Sequence, residues 1–513
     1  MGILKFIALM SVMILAACRW ENEDKLQQYA DKVHRPDVPR AVLPNQTITL
    51  KVPDSISSTL QFDWQVLHAP QHSQVNIEQA SANSSIFSAS QPGIYTVELS
   101  AIEYNRSTEK ILFHIPVIDQ NIHLKCPINS VQNLSIDTQQ QAISKDDYIS
   151  AQLEVAAFTA SSYSLNTEIK GRGNSTWQAQ KKPYRLKLSK QNIDGLMGLT
   201  PARNWALLAN AFDRSSLRNA SALCLGQNFI RNSWTPQYRF LVLNLNNQSN
   251  GLYLLTEHVE VSPHKINLEE SSHKDLSFFV EMTPQDRLNS ADTYVRTERG
   301  YDYEVKSDLS NDSNQKIAQL NQIKMYLDEF EQRLMHSDTS LLSDVLDLDS
   351  AVDYLLLNEL FKDPDRFWAS THFHKAHASP LRFGPIWDYD LAAGNFSGFQ
   401  SPTDWLVLEK DYPKLLMQHS LFREKLQQRW EVLYRYIPHL IEYIYQENDN
   451  IELAQQANIE RWGLYEFTHS FASQQRSYIG DTQSMHVNYL TQWLAERAAW
   501  MNTALQNTQK FKP

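Results

Sequence analysis

Asp353–Lys375 reads DYLLLNELFKDPDRFWASTHFHK, and Leu381–Asn395 reads LRFGPIWDYDLAAGN. Val352, Leu355, Leu356, Glu359 and Leu360 recur at helical spacing, which predicts a helix that stops before Pro364. Proline cannot continue a helix, and it biases Asp363 towards extended backbone. Asp365 is therefore expected in a loop just past the helix end. Residues 370–375 alternate as a strand and 381–383 begin its return. Gly384-Pro385 then bends the chain ahead of Trp387-Asp388-Tyr389-Asp390. Side chains alternate along an extended backbone, so Asp388 and Asp390 are expected on one face. A single Asp in such a loop commonly caps a turn or helix. Three carboxylates on adjoining loops repel one another unless something neutralises them. A hard divalent cation does so through oxygen ligands, which makes Asp365, Asp388 and Asp390 a candidate metal-dependent site.

A second informative segment lies upstream: EIKGRGNSTW over 168–177, then KKPYRLKL over 181–188. It predicts a strand, a glycine turn and a returning strand. Gly171 and Gly173 are expected to supply positive φ or close backbone approach, and successive N–H groups in such a turn cradle anions. Taken alone, the turn reads first as a plain hairpin with a solvated basic strand. In that strand Arg185 and Lys187 share one face.

Together, DPDRF, GPIWDYDLAAGN and KGRGNSTW with KKPYRLKL resemble the spore-coat protein H (CotH) kinase family, an atypical protein-kinase-like group. The resemblance runs from about residue 121 to near the C-terminus. It implies ATP and Mg²⁺ as cofactors and a phosphate transfer to Ser or Thr of an envelope or surface protein. By that resemblance Asp365 is the catalytic-loop aspartate, Asp388 and Asp390 hold the metal, and Ser370 stands where kinases place Asn. The nucleotide is assigned to Lys170, Arg172, Gly173, Asn174, Ser175, Lys182, Arg185 and Lys187. Lys187 is the first choice for the phosphate contact and Lys182 the second. Glu257, at the end of the strand GLYLLTE, is expected on the adenine or ribose side. Asp213 is expected to cap a helix whose Arg218 either reaches the site or, more often for an Arg on a helix, is a solvated or paired surface charge. A kinase-like scaffold without turnover, serving cell-envelope binding or assembly, and a metal-dependent hydrolase fit the same aspartates.

The remaining sequence sets the context. Net charge is −11 without a dense Lys/Arg run, which argues against nucleic acid as partner. Residues 1–17 read as a signal peptide cleaved before Cys18, and Leu15-Ala16-Ala17-Cys18 is similar to a bacterial lipobox. That similarity implies lipid on Cys18 and a membrane anchor in the cell envelope. Arg19 after it points to the outer membrane of a Gram-negative bacterium. Residues 18–40 are a polar tether. Residues 41–118 alternate in several short strands with Ser/Asn/Pro/Gly turns, which predicts a β-sandwich similar to Ig- or PKD-like modules, acting as spacer or binding module. Residues 119–513 are the kinase-like domain, β-rich first and mainly helical after Asn395, with stripes at 405–408, 415–417, 430–437 and 490–505. The fold class expected is thus α+β, an all-β sandwich followed by an atypical kinase-like domain. Cys126 and Cys224 are either a disulfide or buried free thiols.

Overall fold

The computed structural model describes residue 38 and residues 40–52, 61–81, 83–103, 106–126, 128–156, 162–190, 195–268, 276–288, 292–336, 338–396, 398–463 and 482–506. Cys18, the segment 1–17 and nearly all of the 18–40 tether lie outside these residues. Among the described residues no helix is long and apolar enough to cross a membrane.

The chain is mixed α and β. Among the described residues the first elements are six strands: β1 (Ile48–Lys51), β2 (Gln61–His68), β3 (Val75–Ser81), β4 (Ser84–Ala89), β5 (Gly93–Glu103) and β6 (Arg106–Val117). They form two antiparallel three-stranded sheets, β1-β4-β3 and β2-β5-β6. Leu50, Phe87, Val97 and Phe113 come from both sheets and share one core.

Seven strands follow: β7 (Gln132–Asp137), β8 (Ile149–Ala156), β9 (Tyr163–Gly171), β10 (Tyr184–Leu188), β11 (Asn204–Leu208), β12 (Tyr238–Leu245) and β13 (Gln248–Glu257). They close into a barrel in the order β10-β11-β13-β12-β7-β8-β9. Only the β12–β7 pair is parallel. Strand alternation sends Ile169, Leu186, Trp205, Leu207, Tyr253 and Leu255 into the barrel. Leu252 and Leu254 of β13 face the other way, into the main core. Burial on both sides explains why GLYLL is apolar without interruption.

Helix α1 (Arg218–Phe229) interrupts the barrel strands. Cys126 and Cys224 form a disulfide with Cα atoms 5.5 Å apart, which fastens the approach to the barrel to α1. The remaining elements are β14 (Phe278–Met282), β15 (Tyr294–Arg296), β16 (Asp302–Val305), α2 (Ser313–Leu334), α3 (Thr339–Ser343), α4 (Leu348–Phe361), β17 (Thr371–Lys375), β18 (Arg382–Phe383), α5 (Asp411–Leu416), α6 (Ser420–Trp462) and α7 (Gln483–Ala504). The five strands make a five-stranded sheet in the order β15-β16-β14-β17-β18.

Helix α4 is buried on every side, so its polar residues all need partners. Asp353 receives Arg231 and Arg429 at 2.9 and 2.7 Å, and Glu359 receives Arg497. Glu359 also accepts the backbone N–H groups of Leu406 and Leu408 at 3.0 and 2.6 Å. That capture corrects the helical reading of 405–408: the segment is irregular and its amides are spent on a buried carboxylate.

Candidate active site

A cleft of about 810 Å³ lies between the barrel, the β14–β17 sheet and the loops after α4 and β18. Its lining includes Arg172, Gly173, Asn174, Ser175 and Arg185 on one side and Asp365, Ser370, Asp388 and Asp390 on the other. The two sequence segments singled out by motif therefore share one cavity. A cavity of about 940 Å³ between the N-terminal sheets and α6 holds none of these residues, and its Arg435 is paired with Asp119. The candidate site is therefore the smaller cavity.

The basic side comes from the β9–β10 hairpin. Gly173 has φ +80°, and a Cβ there would lie 1.9 Å from Thr176 Oγ1, so only glycine fits. Gly171 differs from expectation: its φ is not positive, and it is glycine because the Trp177 ring lies 2.4 Å from where a Cβ would be. Arg172 sits over the Trp387 ring at 5.4 Å. Burial pulls its pKa down, while Asp388 and Asp390 oppose that shift. Arg185 Nε is buried without a hydrogen-bond partner. Among the described residues neither guanidinium forms an ion pair with a carboxylate.

The lysines lie elsewhere. Lys187 is 3.4 Å from Glu168 and over the Tyr148 ring, which Lys170 also covers. Lys182 donates to the Trp177 carbonyl at 2.6 Å. None of the three lines the cleft. Asn174 lines it and accepts from Lys145 at 2.8 Å. Glu257 is fully buried at the barrel end, where its carboxylate accepts from Gln237 N–H at 2.7 Å. Its place on the cleft wall is taken by His258, Val259 and Glu260, the next three residues. Burial, reinforced by Arg185 and Arg172, holds His258 neutral.

The acidic side is built on one buried arginine. Arg366 donates to Asp363 at 2.5 Å, to the Asp388 carbonyl at 2.8 Å, and to the carbonyls of Ser370 and Trp387. It thereby ties the loop after α4 to the loop after β18. Phe367, Ser370 and Asp388 all have positive φ, of 58°, 49° and 68°. Each such residue costs about 1–3 kcal/mol, so the Arg366 bonds hold a strained arrangement. The positive φ of Asp388 also corrects the expectation of a plain extended segment there.

The rest of the acidic loop is equally fixed. Arg218 is fully buried, pairs with Asp213 at 2.7 Å and donates to the carbonyls of Ala392 and Ala393 at 2.9 and 3.2 Å. It is a positioning residue rather than a surface charge. Asp213 serves α1 from outside, accepting Arg218 N–H at 2.8 Å, while Leu217 is the residue at the cap. Asn219 accepts Tyr389 N–H at 2.8 Å, and Asn395 donates to the Asp390 carbonyl at 2.5 Å.

The three carboxylates have one long hydrogen bond between them. Ser370 Oγ reaches Asp388 at 3.4 Å, and no hydrogen bond or ion pair with a described residue reaches the Asp365 or Asp390 carboxylate. Burial and the neighbouring Asp388 push Asp365 up. Burial, Asp388 and Asp365 push Asp390 well above the usual carboxylate range. Among the described residues no three His, Cys, Asp or Glu side chains are grouped to hold a metal.

One part of the cleft escaped the sequence reading. Glu281 of β14 lies directly opposite Glu304 of β16 and His372 of β17. Like charges directly opposed across strands destabilise a sheet. Lys306 offsets them, at 2.9 Å from Glu281 and 2.6 Å from Glu304. The signal was present in FFVEM and DYEVK, where charged residues interrupt apolar strands.

No curated protein matches the chain. A family model described as CotH kinase protein matches residues 169–501, well over half of the chain and the whole of the cleft just described. With the glycine hairpin and the aspartate loops meeting in one cavity inside that span, the chain belongs to the CotH kinase protein family, a kinase-like group.

Proposed function

We propose that the protein transfers the γ-phosphoryl group of ATP to a Ser or Thr hydroxyl of a protein substrate. The observation that carries this reading is the pair of unpaired guanidiniums, Arg172 and Arg185, facing unpaired carboxylates across one cleft. A triphosphate satisfies the arginines. The buried, unpartnered Asp390 carboxyl with Asp388 and the Ser370 hydroxyl offers only oxygen donors, which suits Mg²⁺. Mg²⁺ usually takes one or two carboxylates plus substrate phosphates, so a triad of protein ligands is not required. Bound there, the ion would neutralise charge on the phosphates.

The protein's own groups then divide the work. Arg172 and Arg185 orient the triphosphate and offset charge on the transferring group. Asp365 accepts the proton of the acceptor hydroxyl. The freed oxygen bonds to the γ-phosphorus as the bond to the β-phosphate oxygen breaks, and ADP leaves. The N-terminal sheets are read as an Ig-like spacer or binding module. Cys18 is read as a lipid anchor in the cell envelope; loss of palmitate labelling in Cys18→Ser tests that, and labelling of both proteins contradicts it.

A base must be deprotonated, and the Asp365 pKa lies above the usual carboxylate value of about 4. Turnover with labelled ATP is therefore expected to fall as pH drops, with a midpoint above that value. Asp365→Asn is expected to lose about 10²–10⁴-fold in kcat with little change in ATP affinity. A pH profile flat down to pH 4, or full activity in Asp365→Asn, contradicts the assignment. Equal label incorporation by wild type and variant, or by neither, favours the non-catalytic scaffold, which the Ser370 departure also favours.

A further inference from the structure

We infer that the lip of the cleft beside Asp365 is a docking surface for an acidic peptide segment, so that the phosphate acceptor is a Ser or Thr flanked by carboxylates. This rests on the phosphoryl-transfer reading, because an acceptor hydroxyl has to approach Asp365. Three residues surround that approach. Trp368 donates its backbone N–H to the Asp365 carbonyl at 3.1 Å and keeps 45% of its surface exposed, unusual for a tryptophan. The Arg287 guanidinium carbon lies over the Trp368 ring, 4.1 Å from its centre, and both residues line the cleft. Lys410 stands at the N-terminal end of α5, beside the Asp411 that holds Arg299, and its charge, like that of Arg287, reaches the Asp365 carboxylate.

What separates Arg287 and Lys410 from nearby cations is the absence of a carboxylate partner. Lys306 holds Glu281 and Glu304. Arg299 is taken by Asp411, next to Lys410. Arg366 is enclosed by Asp363 and backbone carbonyls. Among the described residues Arg287 and Lys410 make no ion pair, and the contact holding Arg287 in place is the tryptophan face. Stacking fixes a guanidinium while leaving its N–H edge free to donate. A fixed, unpaired arginine on an exposed aromatic ring is complementary to a carboxylate-bearing chain that lays apolar surface on the ring. The protein as a whole carries net charge −11, which repels acidic peptides at long range. A preference for acidic sequence therefore reports the local lip and not the general field.

The test uses the full-length protein and two fluorescein-labelled peptides, one with a single Ser flanked by Glu on both sides and one with Gln in place of each Glu. Anisotropy titrations in the presence of Mg²⁺ measure binding, and labelled ATP measures transfer in parallel. The Glu peptide is expected to bind about five- to tenfold more tightly than the Gln peptide, since each exposed pair contributes modestly. Arg287→Gln with Lys410→Gln is expected to abolish that preference, and 300 mM salt to reduce it. Equal binding of the two peptides, or a preference retained in the double variant, overturns the inference. So does a rise in the KM for ATP in Arg287→Gln with peptide affinity unchanged, which would assign that arginine to the nucleotide. Acid-selective binding without any label incorporation supports the docking surface and contradicts phosphoryl transfer. Equal transfer to both peptides does the reverse.

Discussion

Asp388→Asn is expected to lower phosphate transfer by on the order of 10³-fold, the scale seen when a preorganised electrostatic contact to a transition state is removed. It is expected to do so without loss of stability. The Asp388 carboxylate receives one long contact, from Ser370 at 3.4 Å, so little folded-state bonding is lost. Its charge raises the pKa of both Asp365 and Asp390, so removing it relieves repulsion inside the cleft. The melting temperature should hold or rise while activity collapses, the trade-off expected of a functional acidic cluster. Thermal melts and labelled-ATP transfer on the same preparations check both halves. A variant that transfers normally, or one that is inactive because it has unfolded, contradicts the role given to this residue.

Arg366→Met is expected to be the most destabilising single change near the site, by about 3–5 kcal/mol, as for a buried ion pair losing one partner. Asp363 would be left buried without its cation, and the carbonyls of Ser370, Trp387 and Asp388 would lose their donor. The same bonds restrain Phe367, Ser370 and Asp388 at positive φ, so the surviving folded protein should also be inactive. Adding Asp363→Asn should recover part of the stability and none of the transfer, because it removes the stranded charge without restoring the loop. Denaturant unfolding of the single and double variants measures this. Equal stability of Arg366→Met and wild type would show that the two loops are held by something else.

Much of this architecture was legible in the residues, and the failures have a common cause. The helix before Pro364, the glycine hairpin and the strand at 371–375 follow from spacing and turn chemistry. Gly173 announced a position no side chain fits. What periodicity does not carry is which neighbour a face meets. Arg185 and Lys187 share a face of β10, as expected, yet the first lines the cleft and the second meets Glu168 and Tyr148. That outcome depends on how the barrel sits over the loops, not on the strand itself. Glu257 shares the inward parity of Tyr253 and Leu255, so it is enclosed at the barrel end and the wall passes to His258, Val259 and Glu260. Asp388 left the extended conformation because Arg366 captures its carbonyl, a long-range bond without a local signal. The Glu281–Glu304 pair exists only once β14 and β16 are in register.

The central claim is that the two sides of one cleft hold one nucleotide. Calorimetric titration of ATP into wild type, Arg172→Gln, Asp388→Asn and the double variant, each with and without Mg²⁺, tests it most directly. Saturable binding by wild type that strengthens with Mg²⁺ is expected. Asp388→Asn is expected to lose the Mg²⁺ dependence, and Arg172→Gln to weaken binding non-additively with Asp388→Asn, because both act on the same phosphates. Absence of ATP binding by the wild type, or strictly additive effects with Mg²⁺ dependence intact in Asp388→Asn, would contradict the claim.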